Sequence, residues 1–308
     1  MEIALQFVLL ALGFVMLAKG ADWFVEGAAG IAMRFGIPQL VIGLTIVAMG
    51  TSAPEAAVSI AAAVKGNADI TIGNIVGSNI LNILIILGLA ASIVPIAVAR
   101  STVRIEMPFM IAITALLFYQ GRDGSISLAD GGVLMVAFAA YMMYLYTMAM
   151  KSNVDSDLEE PGLPLGRCLL GAVGGLALII AGSNVTVGAA TSIATYAGLS
   201  ERFIGLTIVA LGTSLPELFT SVAAARRGNA DIAIGNIVGS NIFNILFVVG
   251  LSSLIIDIPF ASAFNFDTYV ALGAAVLLWL CVLRTQRLQR WAGALMLVCY
   301  AAYLGYIL

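Results

Sequence analysis

Apolar runs long enough to cross a membrane recur along the chain, separated by short polar stretches. A helix needs roughly 20 apolar residues to span a bilayer, and ten such spans are predicted. The first half holds them at residues 3–32, 39–64, 70–94, 106–120 and 130–150. The second half holds them at 165–196, 203–225, 231–255, 267–284 and 289–308. The first and sixth exceed a straight crossing, which predicts tilt or a broken end. The one strongly polar stretch, Lys151 to Gly166, carries four acids and two prolines and reads as a solvated linker. The chain therefore divides into a first five-helix repeat at 1–150, a linker at 151–164 and a second five-helix repeat at 165–308.

The polar positions inside the spans repeat as well. Gly43 to Gly88 aligns with Gly205 to Gly250 without a gap, with 33 of 46 positions identical at a constant offset of 162. Repetition this sharp means two copies of one unit. Equivalent positions lie five spans apart, an odd number, so the copies are expected to be upside down relative to each other. The predicted fold is an all-α membrane protein, ten transmembrane helices arranged as two inverted five-helix repeats. Alternate loops carry ten Lys and Arg on one side against three on the other. The positive-inside rule then puts both termini outside and the linker in the cytoplasm.

Composition narrows the function. With 61% hydrophobic and 10% charged residues, against about 25% charged in soluble domains, the chain is an integral membrane protein. A net charge of −3 without a basic tract argues against nucleic acid. The absence of His removes the usual zinc ligand and the usual neutral-pH base. Cys168, Cys281 and Cys299 are scattered, show no metal spacing and form no complete disulfide framework. The first span lacks a basic n-region and a cleavage site and is expected to remain as a membrane helix.

Each repeat sets Gly-Thr-Ser-x-Pro-Glu inside an apolar span, which places Glu55 and Glu217 at membrane depth. A carboxylate there costs at least ~2.5 kcal/mol and marks an ion path, a proton relay or a substrate site. Pro54 and Pro216 should break their helices and free carbonyls near Ala48 and Gly50, and near Ala210 and Gly212. Thr51 and Ser52 precede Glu55 by four and three residues, as Thr213 and Ser214 precede Glu217, so hydroxyl and carboxylate are expected on one face. Oxygen ligands without sulfur or imidazole suit hard cations: Ca²⁺, Na⁺, Mg²⁺ or H⁺. The next helix adds a polar stripe at Asn74, Ser78 and Asn82, repeated at Asn236, Ser240 and Asn244. These are either neutral oxygen ligands or polar glue between helices. Asn79 and Asn241 point about 100° away from that stripe on a regular helix. Gly73, Gly77, Gly235 and Gly239 read as close-packing positions, and Asp69 and Asp231 as helix-start residues complementing the dipole. Lys19, Asp22 and Glu26 in the first span are expected in an ion pair at a helix end or cavity mouth.

Two copies of G-T-S-x-P-E, each followed by G-N-x-x-G-S-N-I-x-N, resemble the α-repeats of the Na⁺/Ca²⁺ exchanger branch of the cation/Ca²⁺ antiporter superfamily, prokaryotic type. The resemblance covers the whole chain. It implies exchange of Na⁺ for Ca²⁺ by alternating access, without enzymatic chemistry or a cofactor. It further implies that Glu55 and Glu217 are shared central ligands of Ca²⁺ and Na⁺, with Thr51 and Thr213 flanking the Ca²⁺ site. Ser52, Ser214, Ser78 and Ser240 would serve outer Na⁺ positions, the carbonyls of Ala48 and Ala210 would be backbone ligands, and Asn82 a central polar residue. Asn244 departs from members that carry Asp there, so the centre holds two carboxylates. The nearest alternative is a proton-coupled divalent-cation antiporter. A passive channel fits inverted repeats with one central acidic pair poorly, and an intramembrane protease lacks its expected motif. Oligomeric state is left open.

Overall fold

The computed structural model describes residues 2–66, 68–151, 163–198 and 210–307. Among them, eight helices are long and apolar enough to cross a membrane. They are α1 (Ile3–Phe35), α4 (Ile70–Ile93), α5 (Thr102–Asp123), α6 (Leu128–Lys151), α7 (Leu165–Tyr196), α10 (Ala230–Ile255), α11 (Phe264–Leu283) and α12 (Arg290–Ile307). A ninth candidate is the pair α2 (Gln39–Thr51) and α3 (Ala53–Val64), bent by 52° at their junction. The pair α8 (Ala210–Thr213) and α9 (Leu215–Arg226) repeats that break in the second half. The chain is thus an all-helical, multi-pass membrane protein. The first seven residues of the span expected at 203–225 and most of the linker fall outside the described residues, as do the surroundings of the Asp69 and Ala210 side chains.

The two helix breaks follow from the prolines. Pro54 and Pro216 sit within the first two positions of α3 and α9, where a missing N–H costs nothing. The residues just before these helices, Ser52 (φ −83°, ψ 7°) and Ser214 (φ −89°, ψ 3°), leave the helical region and take up the bend. Among the described residues, four further irregularities are π-helical turns: Gly43–Val47, Asn82–Leu87, Thr102–Glu106 and Asn244–Val249. Turns of this kind cost hydrogen-bond geometry and occur mostly where function requires them. Two of them begin at the equivalent residues Asn82 and Asn244.

Long helices α1 and α7 pack antiparallel along a seam of glycines spaced by seven. A Cβ on Gly13 would collide with Thr186 Oγ1, one on Gly20 would lie 2.9 Å from the Gly175 carbonyl, and one on Gly27 would overlap the Ala172 amide. The backbones therefore touch, which is how membrane helices gain packing that lipid cannot supply. The same device presses α10 onto α2: a Cβ on Gly239 would stand 2.8 Å from Ala48 Cβ, and one on Gly235 3.0 Å from Gly43. α10 is buried along nearly its whole length and forms the centre of the molecule.

Short ladders interrupt the helices. β1 (Ile96–Ala97) pairs antiparallel with β4 (Arg287–Leu288), and β2 (Ser125–Ile126) with β3 (Ile258–Pro259). Each ties a loop of the first half to a loop of the second. Of Lys19, Asp22 and Glu26, expected in an ion pair, the two acids pair with the other half: Arg227 reaches Asp22 at 3.2 Å and Glu26 at 3.1 Å. All three side chains are more than a third exposed, so the pair contributes about 0–1 kcal/mol.

Candidate cation site

Glu55 and Glu217 are each 1% exposed and lie just past the break in their helix. The spacing of Thr51 and Ser52 predicts that they share a face with the carboxylate of the same helix. The structure pairs them across the halves instead. Ser52 Oγ donates to Glu217 Oε1 at 2.7 Å, and Ser214 Oγ stands 3.5 Å from Glu55 Oε1. Thr51 and Thr213 likewise interact with the carboxylate of the opposite half, Glu217 and Glu55 respectively. The reason is the bend: residues on either side of a 52° break no longer share a helical face.

The next helices supply the frame. Asn74 Nδ2 donates to the Glu55 carbonyl (3.2 Å) and to Ser59 Oγ (2.9 Å). Asn236 Nδ2 does the same with the Glu217 carbonyl (3.4 Å) and Ser221 Oγ (2.9 Å). These two amides thus hold the backbone from which each carboxylate projects. Thr51 Oγ1 donates to Asn236 Oδ1 at 2.9 Å, and Ser240 Oγ to the Ala48 carbonyl at 3.3 Å. The same carbonyl accepts Thr51 Oγ1 at 3.3 Å. The Gly212 carbonyl, expected to face a cavity, instead accepts Ser183 Oγ at 2.7 Å.

Asn79 and Asn241, which the helical wheel turns away from the polar stripe, are central. Asn79 Nδ2 donates to the Asn241 carbonyl (3.3 Å) and Asn241 Nδ2 to the Asn79 carbonyl (3.2 Å). Their side-chain oxygens accept from Asn82 and Asn244: Asn82 Nδ2 to Asn241 Oδ1 at 2.9 Å, Asn244 Nδ2 to Asn79 Oδ1 at 3.1 Å. With each Nδ2 engaged, the amide orientation of Asn82 and Asn244 is fixed and the Oδ1 end is left free. The π-turn at Asn82 packs on α9, the helix of Glu217, and the π-turn at Asn244 on α3, the helix of Glu55.

Four buried oxygens, Glu55 Oε2, Glu217 Oε2, Asn82 Oδ1 and Asn244 Oδ1, have no hydrogen-bond partner among the described residues. All belong to equivalent residues of the two halves. Buried acceptors without donors are expensive, and here the donors nearby are already spent on other atoms. Two carboxylate and two amide oxygens facing a protein interior are a ligand set for a hard cation. Ser78, 4% exposed, and Thr213, half-buried, line the same helices.

A family described as sodium/calcium exchanger protein matches the chain twice, at residues 5–147 and 168–308. The putative antiporter CaxA of Alkalimonas amylolytica is 40% identical, with 98% of each chain covered. The sodium/calcium exchanger MaX1 of Methanosarcina acetivorans is 33% identical, again with 98% of each covered. Among solved structures, the sodium-calcium exchanger NCX_Mj soaked with Na⁺ and Sr²⁺ superposes with a TM-score of 0.86 at 34% identity, covering 98% of this chain and 99% of that one. The chain belongs to the sodium/calcium exchanger family.

Proposed function

We propose that the protein is a secondary active transporter that exchanges Na⁺ for Ca²⁺ by alternating access through the Glu55–Glu217 centre. The observation that carries this reading is the set of four partnerless buried oxygens on equivalent residues of the two halves. One Ca²⁺ with two ionised Glu is neutral, which a low-dielectric interior tolerates. Na⁺ ions using the same oxygens would repel a resident Ca²⁺ by several kcal/mol, so the two cargoes exclude each other, as antiport requires. The central ligands in this reading are Glu55, Glu217, Asn82 and Asn244. Thr51 and Thr213 flank the Ca²⁺ position, the carbonyls of Ala48 and Ala210 are backbone ligands, and Ser52, Ser214, Ser78 and Ser240 serve the outer Na⁺ positions.

Two inverted five-helix repeats in ten spans complete the proposal. The family match in two separate segments supports two units. The ladders support the count. β1 and β4 lie at one face, and two points on one face must be separated by an even number of crossings. Between them run α5, α6, α7, α10 and α11, so one more crossing is required, and α8–α9 supplies it. The ladder of β2 with β3 gives the same parity. The antiparallel packing of α1 on α7, equivalent helices of the two halves, supports the inversion. The host membrane in this reading is a prokaryotic cytoplasmic membrane, with the linker inside.

The test is flux of radioactive Ca²⁺ and Na⁺ in proteoliposomes under opposed gradients. Ca²⁺ uptake should require Na⁺ on the other side and should drive Na⁺ the opposite way. Ca²⁺ uptake driven by a pH gradient without Na⁺ would replace this reading with proton-coupled antiport.

A further inference from the structure

A second buried carboxylate lies away from the central pair. Glu106 is fully buried in the π-helical first turn of α5, between the fully buried Thr102 and the start of the regular helix. Tyr144 of α6 donates its hydroxyl to Glu106 Oε1. Among the described residues Glu106 Oε2 has no partner, and neither do Thr102 Oγ1 and the hydroxyl of Tyr141, which is 6% exposed. Thr102 precedes Glu106 by four residues on the same π-turn, and the Tyr141 ring stacks on that of Tyr144 with centroids 6.3 Å apart. Arg100 and Arg104 on the same segment are exposed. From α11, Trp279 Nε1 donates to the Val103 carbonyl at 2.8 Å. Among the described residues no charged side chain of α10 or α11 interacts with Glu106, and no hydrogen bond links it to Glu55 or Glu217.

The second half shows what a merely structural pair looks like. There Tyr303 donates to Asp267 at 2.8 Å, but Asp267 is half-exposed in the first turn of α11, where solvent and the helix dipole stabilise it. Glu106, 0% exposed, has no such contact with solvent. A buried charge without a counter-charge is costly, and orphan oxygens around it call for an occupant.

We propose that Glu106, Thr102 and Tyr141, braced by Tyr144, form a second cation site that takes one monovalent cation, Na⁺ or a proton. One positive charge neutralises the single carboxylate, whereas a divalent ion would leave an uncompensated charge in the membrane. The hydroxyl oxygens of Thr102 and Tyr141 supply neutral ligands to Na⁺ or acceptors for a carboxyl proton.

Trp279 reports on the site, since it is bonded to the turn that carries Glu106. In the full chain carrying Trp23→Phe and Trp291→Phe, with Glu55→Gln and Glu217→Gln to silence the central site, Trp279 emission is followed at constant ionic strength. Na⁺ is titrated at fixed pH, and pH is titrated without Na⁺. The expected result is a saturable response that Glu106→Gln abolishes. A Na⁺ response that falls at lower pH assigns Na⁺, and a response to pH alone assigns the proton. Thr102→Val and Tyr141→Phe, which keep the packing, should each shift half-saturation by roughly fivefold, and they stand in if Glu106→Gln does not fold. No Glu106-dependent response to either cation, or half-saturation unmoved in both hydroxyl variants, would overturn the proposal.

Discussion

Asn79 and Asn241 are the side chains through which the two halves grip each other, and each also fixes a free amide oxygen of its neighbour's partner. Asn241→Ala would leave the Asn82 Nδ2 without its partner and remove the side-chain donor to the Asn79 carbonyl. The expected loss is about 1–3 kcal/mol of stability, seen as a lower melting temperature in detergent, together with weaker Ca²⁺ binding because Asn82 Oδ1 is no longer aimed. Glu55→Gln and Glu217→Gln should behave in the opposite way. Each keeps the shape and removes a buried charge, so the ion-free melting temperature should hold or rise. Ca²⁺ affinity should fall by on the order of 100-fold, taking about 3 kcal/mol for a charged ligand, and the Ca²⁺-dependent rise in melting temperature should vanish. A variant that lost folded protein yet kept wild-type Ca²⁺ flux would assign the Glu a structural role instead. The two Glu are legible in the sequence because an acid inside a repeated apolar span costs too much to serve packing alone. Asn79 and Asn241 are not, because a helical wheel sees one helix and their partners sit on the other half. Glu106 is hidden for a different reason: beside Arg100 and Arg104 at a span's edge, it resembles an ordinary interface residue until burial is known.

The elements that carry these side chains depend on glycine at backbone contacts. A Cβ on Gly27 would overlap the Ala172 amide and stand 2.5 Å from the Cys168 carbonyl, both main-chain groups with nowhere to move. Gly27→Ala must therefore part α1 from α7, at roughly 1–3 kcal/mol. Gly174 on the same seam's helix meets no described atom within 4 Å, so Gly174→Ala should be neutral or stabilising by up to about 1 kcal/mol. The two melting temperatures, measured side by side, separate close packing from helix propensity. Equal effects would mean that the helices do not touch as described. Span positions are legible from apolar length alone: 165–196 coincides with α7, and 70–94 differs from α4 by one residue at its end. The span expected at 106–120 begins four residues earlier, at Thr102, because the π-turn Thr102–Glu106 runs straight into the regular helix. The π-turns and two-residue ladders leave no periodic trace in a sequence, since each is set by contacts between the halves.

At the scale of the whole molecule, the ladders turn a question about one segment into one about both ends of the chain. From position 157 in the linker to Leu308 the helices are α7, α8–α9, α10, α11 and α12. If α8–α9 crosses, there are five crossings and the two positions lie on opposite faces. If it does not, there are four and they share a face. The registers Ala97 with Arg287 and Ile126 with Ile258 agree with the proposed odd count. The excess of Lys and Arg, ten against three on alternate loops, adds the absolute sense. A reporter inserted at position 157 should therefore be active in the cytoplasm, and one fused after Leu308 outside it. Labelling with a membrane-impermeant thiol reagent gives an independent check: in a background lacking Cys168, Cys281 and Cys299, a cysteine at position 157 should react only from the cytoplasmic side. Both reporters on one face would remove α8–α9 from the count, and with it the inverted pairing that brings Glu217 to Glu55.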